Sequence, residues 1–498
     1  MTIIGIDLGT SFSVVATIDQ TGRPQVVPNK DSRSLTPSCV VERDDGVMEV
    51  GEYARRQWGN DPDTAAARFK RDMGTSTKFI IKGKSFSPTD LSTLVLKKLY
   101  ADAVSRLGPI SEAVVTIPAN FAHEAREATL AAAKAAGLNV KYIINEPTAA
   151  ALYYAFKYGR NLNGVYAVYD LGGGTFDISV IRVQNQDVEV LATNGIPKLG
   201  GDDFDGVLQA IVARKYKELT GKAFGYDDYT KNQAEEDKKS LSLRKQVTRR
   251  TGRELIDISR DEFEEAISSL VMQAEMLCEA TIEEAGLTLA DIQEVLLVGG
   301  STRMPIVQES VRRVFEKTGI ASENVDEVVA LGAALYSAYK GNRSNLSAAQ
   351  RTAIAQIKVA EKTSKCFGTF AVSHNENRKE REVQNAVVIH KGEPIPCSVT
   401  KSFYTSHEGQ RAVGCEVTES TSPETDLRFV KIIWKGTLEL PPGRPADQEI
   451  KVTFTYDENQ VMKCSFVDVG TGRKTEIDIS QSTTNLRGPS EIDRFLVE

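Results

Sequence analysis

Up to about residue 340, short β-branched runs alternate with stretches whose apolar residues recur at helical spacing. That pattern predicts strands alternating with helices, an α/β architecture. AVVTIP at 113–118 reads as a strand, EAREATLAAAKAAGL at 124–138 as an alanine-rich helix ending at Gly137, and KYIINEPTAAALYYAF at 141–156 as strand, turn and helix. EFEEAISSLVMQAEMLCEATIEEAGL at 262–287 predicts a long helix, and EVLLVGGSTRMP at 294–305 a buried strand running into a glycine turn. The strands are expected to be central and the helices to cover them.

From Gly341 the pattern changes. GNRSNLSAAQRTAIAQIKVAEKTSK is polar and locally basic, with Leu346, Ala349, Ala353, Ile354 and Ile357 at helical spacing, and predicts a linker over 341–364 able to form a helix. Beyond about residue 365 the period becomes two, in FGTFAVS, NAVVIHKGEPIPCSVTKSFYT, RAVGCEVTE, IIWKGTLEL, EIKVTFTYDENQVMKCSFVDV and KTEIDIS, with turn clusters between. A compact all-β domain, a sandwich, is expected over 365–480. The remainder, 481–498, reads as a short tail that begins like a helix.

Composition narrows the function classes. The 498 residues are 41% hydrophobic and 26% charged, ordinary globular values that allow several cores. A net charge of -7 and a pI near 5.5 argue against a general nucleic-acid binder. The basic residues after Gly341 read as a solvated face rather than a nucleic-acid patch. No basic region leads into a long apolar segment, and no run approaches the about 18 apolar residues of a membrane span, so a soluble cytoplasmic protein without membrane or nucleic-acid partners is expected. The six cysteines are scattered without CxxC pairs and read as small buried hydrophobes. Neither a Walker-type GxxxxGK[ST] nor a GxGxxG turn is present, and His123-Glu124 lacks the second histidine of a zinc-protease helix.

The candidate chemistry lies in a repeated device. VYDLGGGTFDISV at 168–180 sets three glycines between two strand-like runs with an aspartate on each side, and IGIDLGTSFSVVA at 4–16 has the same grammar. A hairpin turn would account for either stretch alone. The matched pair points to an internal repeat, two related lobes across a cleft. Glycine turns present backbone N–H groups to a polyphosphate, so Gly9, Thr10, Ser11 and Phe12 on one side and Gly172, Gly173, Gly174 and Thr175 on the other are candidate triphosphate grips. Asp7 and Asp170 are candidate Mg²⁺-side carboxylates acting through water, because Mg²⁺ dehydrates reluctantly; turn capping is their alternative. A third turn, Gly299, Gly300, Ser301 and Arg303 of VGGSTRMP, would lie against a nucleoside.

IGIDLGTSFSVVA, FKRDMG, INEPTAAA, YDLGGGTFDISV, LGGDDFD, VGGSTRMP and ALGAA follow one another over residues 1–340. In this series the chain resembles the 70-kDa heat-shock chaperone family, as a divergent, short, lidless member. The resemblance implies a two-lobed, actin-like ATPase domain over 1–340, followed by a β-sandwich peptide-binding domain, with ATP/ADP and Mg²⁺ as cofactors. It makes Lys70 the catalytic lysine near the γ-phosphate, with Glu146 and Asp177 completing the network around Asp7 and Asp170. It assigns the adenosine side to Glu235, Lys238, Lys239 and Ser242, with Gly200, Gly201, the GGSTR turn and Asp326. The ordinary alternatives are a surface lysine for Lys70, a helix-start residue for Glu146 and a solvated helix face for 235–242. Pro118 and Arg126 match the family's switch between nucleotide state and peptide domain. Phe403, Val413 and Cys415 fall where the family lines a cleft for an extended apolar peptide, core packing being their alternative.

Unfolded or extended polypeptides, a J-domain co-chaperone and a nucleotide exchange factor are the partners the resemblance implies. The chain departs from the family at Pro197, where a threonine is usual; between Met73 and Ser87, where it is shorter than members that carry a hairpin there; at Tyr142, which replaces a basic residue; and at Thr369 and Cys415 in the cleft. The acidic, leucine-rich linker is replaced by 341–364, and 481–498 would be the start of a truncated lid helix. The expected activity is a slow ATP hydrolase coupled to peptide binding and release. The rival is an ATP-binding co-chaperone or docking module that hydrolyses little and serves one dedicated partner.

Overall fold

The structure is a computed structural model and describes residues 2–61, 63–158, 163–184, 187–225, 229–322, 324–341, 344, 346–355, 357–375, 380–458, 460–478 and 497–498. The described residues form a mixed α/β chain of ten helices and several sheets. Contacts divide it into two compact units: Met1–Asn120, Thr129–Val359 and Leu486–Glu498 form the first, Phe121–Ala128 and Ala360–Asn485 the second.

The first unit contains one strand plan twice. Strand Thr2–Asp7 runs parallel to Ile110–Ile117, which runs parallel to Val140–Asn145; on its other edge it turns back into antiparallel Phe12–Ile18, followed by Pro24–Val26. In the second sheet, Gly164–Leu171 runs parallel to Glu294–Val298, itself parallel to Ile320–Ala321, and turns back into Phe176–Gln184 and then Asp187–Ile196. Order and direction are the same in both. The two sequence copies of the aspartate–glycine device are therefore the two central hairpins. Their apolar runs are continuous rather than alternating because central strands are covered on both faces.

Helices Glu146–Tyr158 and Val328–Lys340 share a core with both sheets, including Val14 and Ala16 of the first and Val168 and Ile181 of the second. Both helices are rich in alanine and approach backbone to backbone: a Cβ on Gly332 would lie 1.7 Å from the Ala149 carbonyl oxygen. The predicted linker contains helix Ala348–Ile354, started by a reciprocal Ser347–Gln350 capping box. It is packed into the first unit. Leu346, Ile354 and Ile357 are buried in the same core, and the Gln350 amide donates to the Ile18 and Asp19 carbonyls, each at 3.0 Å.

The second unit holds two antiparallel four-stranded sheets. One has the order Glu380–Ile389, Cys366–Asn375, Ala412–Ser420, Lys431–Glu439; the other, Cys397–Tyr404, Glu449–Tyr456, Met462–Asp468, Lys474–Asp478. Alternation puts Phe367 and Val417 of the first and Phe454 and Phe466 of the second into one core. Five of the six cysteines are buried. Among the described residues no helix is long and apolar enough to cross a membrane. Of the predicted tail, 481–496 lies outside the described residues, while Val497 pairs in parallel with Met48.

Replacing Gly332 by alanine is expected to destabilise the first unit by roughly 1–3 kcal/mol, the cost of overpacking where backbone cannot give way. A lowered urea midpoint on circular dichroism checks this, and an unchanged midpoint would contradict the close packing.

Candidate functional site

Each central hairpin delivers an aspartate at the end of its first strand. Asp7 lies opposite Val14 and accepts a hydrogen bond from Thr116 Oγ1 at 3.0 Å, reaching across to the neighbouring parallel strand. Asp170 lies directly opposite Asp177. The two glycine turns meet. A Cβ on Gly173 would fall 2.1 Å from Ser11 Oγ, and one on Gly174 would fall 2.6 Å from Thr10 Cγ2, so only glycine lets the second turn close on the first.

The third turn locks onto the second. Gly299 has a left-handed φ of 82°, and a Cβ there would lie 2.5 Å from the Leu171 carbonyl oxygen. Ser301 Oγ donates to the Gly172 carbonyl at 2.9 Å. Helix Gly201–Thr220 starts at the same place, its Gly201 and Asp202 N–H groups donating to the Gly172 and Gly173 carbonyls at 3.0 and 2.8 Å. Gly200, the residue before this helix, touches Gly173 backbone and lines neither cavity described next.

Two adjoining cavities result. The smaller, about 100 Å³, is lined by Asp7, Gly9, Thr10, Ser11, Phe12, Lys70, Glu146, Asp170, Gly172, Gly173, Gly174, Thr175, Gly299, Gly300 and Asp326 among others. The larger, about 400 Å³, continues over Gly201, Glu235, Lys238, Lys239, Ser242, Ser301 and Arg303. Arg303 pairs with Asp326 at 2.6 Å on its wall. Asp177 is buried behind the smaller cavity, among the charges acting on Lys70.

Lys70 sits in the short 3₁₀ turn Phe69–Asp72, preceded by Arg68 in a left-handed conformation (φ 62°). Its Nζ donates to Glu146 Oε1 at 2.6 Å, with both side chains more than nine-tenths buried. Burial pulls the Lys70 ammonium down, but the attraction of Glu146 and Asp7 outweighs it and holds the group above its ordinary value. Asp7 is raised to about 7 by burial and by repulsion from Glu146, against the pull of Lys70. Asp170 is pushed well above the carboxylate range by burial and by Glu146, Asp177 and Asp7. One lysine thus faces four carboxylates, and the cluster holds more acid than it has cation to balance.

That surplus suits a hard cation. Among the described residues no three His, Cys, Asp or Glu side chains converge to hold a metal directly. Oxygen donors without a closed ligand cage fit a Mg²⁺ that keeps its waters.

Arg55 and Arg68, which no motif singles out, complete the site around the candidates Glu235, Lys238 and Lys239. Glu235 on helix Lys231–Leu243 pairs with Arg55 of helix Glu52–Asn60 at 2.6 Å and with Lys239 at 2.6 Å. Burial would raise Glu235, yet Arg55 and Lys239 bring it down to about 2. The Arg55 guanidinium lies 5.0 Å from the centre of the Phe12 ring. Arg68 pairs with Asp202 and Arg71 with Asp203, each at 2.6 Å, joining the Lys70 turn to helix Gly201–Thr220. Lys238 reaches the Gly201 carbonyl and Asp205, both at 2.7 Å.

In the second unit, Phe403 and Val413 line a cavity of about 290 Å³ together with Thr369, Val372, Val383 and Tyr404. Cys415 does not line it. It is fully buried in the core, with its thiol 3.6 Å from the Val413 carbonyl, so core packing is its role. Arg126 is buried, donates to the Phe121 carbonyl at 3.1 Å and to Gln460, and belongs to a short segment that groups with the second unit.

A model of the Hsp70 protein family matches residues 3–80 and 75–498. The chain belongs to that family, whose members are chaperones that bind ATP/ADP with Mg²⁺.

An aspartate whose folded-state pKa is raised lends stability while protonated. For Asp7 that contribution is full below its unfolded value of about 3.9 and is lost as pH rises through about 7. Urea unfolding of the ligand-free chain is expected to show a fall in stability between about pH 4 and 7 that shrinks in Asp7→Asn. An equal fall in both proteins would show that Asp7 is not held protonated.

Proposed function

We propose that the chain is an ATP-dependent chaperone of the cytoplasm. Residues 1–340 act as a two-lobed, actin-like ATPase domain and 365–480 as a β-sandwich that binds extended apolar peptide segments. The observation that carries the reading is the Lys70 ammonium, buried against Glu146 beneath two glycine turns that face one another.

In this reading the N–H groups of Gly9–Phe12 and Gly173–Thr175 hold the phosphates, while Glu235, Lys239, Ser242 and Arg303 flank the adenosine. Asp7 and Asp170 would hold Mg²⁺ through water, and the bound ion would offset charge on the transferred phosphoryl group. Lys70, kept protonated by its carboxylate neighbours, donates toward the γ-phosphate and the attacking water. Glu146 and Asp177 orient that water, a matter of positioning rather than covalent chemistry. Thr116, which donates to Asp7, lies two residues before Pro118 on a strand that leads into 121–128, a route by which nucleotide state reaches the second unit. The cavity at Phe403 and Val413 takes an apolar side chain of a peptide bound mainly through its main chain. A J-domain protein and a nucleotide exchange factor would serve the cycle.

Two features favour a second reading, an ATP-binding co-chaperone or docking module with little hydrolysis. Pro197, where the family usually has a threonine, offers neither a hydroxyl nor an N–H, and Gln350 fastens the segment after Gly341 to the first unit.

Single-turnover ATP hydrolysis separates the two. Turnover that falls roughly 100-fold or more in Lys70→Ala with ATP binding retained, and that rises with an extended apolar peptide, is expected. Val413→Asp should abolish the peptide response and leave basal hydrolysis unchanged. Tight ATP binding with no turnover above that of Lys70→Ala would overturn the first reading and leave the docking module.

A further inference from the structure

Strand Met48–Val50 is the edge of a three-stranded sheet in the first unit. It pairs with Cys39–Glu42, whose other side pairs with Ala65–Ala67. An edge strand presents unpaired N–H and C=O groups, a template for another extended segment. Here the edge is taken. The Val50 N–H donates to the Glu498 carbonyl at 2.9 Å, and the Glu498 N–H donates to the Met48 carbonyl at 3.0 Å, in parallel. Val497 rests on the core that contains Met48, Val50, Ile81 and Phe86. The Arg43 guanidinium, beside the strand, donates to Glu498 Oε2 at 2.8 Å while also pairing with Asp45 at 2.7 Å and Glu49 at 3.5 Å.

Three independent features therefore converge: a pair of main-chain hydrogen bonds, an apolar seat and a cation. We propose that the edge of strand Met48–Val50 is a β-augmentation groove that reads an apolar residue followed by an acidic one, and that this chain's own Val497–Glu498 occupies it. Main-chain bonds supply the attachment, while the apolar seat and Arg43 set which two residues fit. So short a contact is weak between separate molecules. Within one chain, tethering raises the effective concentration into the millimolar range, which favours the cis arrangement. Val497 and Glu498 also group with the unit that carries the strand. The docked residues lie next to Gly51, where the strand passes into helix Glu52–Asn60.

Residue-resolved amide hydrogen exchange on the full chain tests the proposal, because the Val50 N–H faces the docked residues. Val497→Asp is expected to speed exchange at Val50 by roughly tenfold or more, with the amides of strand Thr2–Asp7 unchanged. Glu498→Arg should act in the same direction, and combining it with Arg43→Glu should restore most of the protection. Equal Val50 exchange in the unaltered chain and Val497→Asp would overturn the groove. Protection that grows with protein concentration would overturn the cis occupant in favour of a second copy.

Discussion

The site is organised by an imbalance of charge. Lys70 is buried against Glu146 and is held charged by Glu146 and Asp7, and Asp170 and Asp177 lie within the same field. Burying charge is costly unless it is matched, and a single ammonium does not match four carboxylates. The cluster meets the deficit by keeping protons: Asp7 titrates near neutrality and Asp170 above its ordinary range.

The duplicated hairpin makes that cluster possible. Each copy ends a covered central strand in an aspartate and then turns on glycine, and Gly173 and Gly174 let the two turns approach to distances that a side chain would forbid. Around this contact, Arg68, Arg71 and Arg55 reach Asp202, Asp203 and Glu235 on the helices that follow the second hairpin. The glycine turns, the helix starts and the ion pairs hold one another. Glu235 shows the strength of the coupling, since two cations overcome a burial that alone would raise it.

How much of this is legible in the sequence depends on the range of each interaction. The strands ending in Asp7 and Asp170, the glycine turns and the helix after Glu146 are set by local chemistry and are readable as such. Lys70, Glu146 and Asp177 carry no local signal that would bring them together and are singled out only by the family resemblance. Arg55 and Glu235 are 180 residues apart and Arg71 and Asp203 are 132 apart, so nothing local announces either pair. The segment after Gly341 looks like a linker because it is polar, yet Leu346, Ile354 and Ile357, at helical spacing, are what bury it. The hairpin of Gln246–Thr251 and Glu254–Ser259 escapes a reading by period because it lies between two longer helical stretches. Pairing of Val497 with Met48 depends on a tertiary edge that no sequence pattern marks.

The charge imbalance itself is open to one direct measurement: calorimetric titration of nucleotide already saturated with Mg²⁺ into the chain at pH 7, in two buffers of different ionisation enthalpy. If Asp7 and Asp170 hold protons until a cation takes their place, the observed heat will differ between buffers in the sense of net proton release, and Asp7→Asn will reduce the release. Binding whose heat is the same in both buffers would contradict a cluster that stores protons in place of a metal ion.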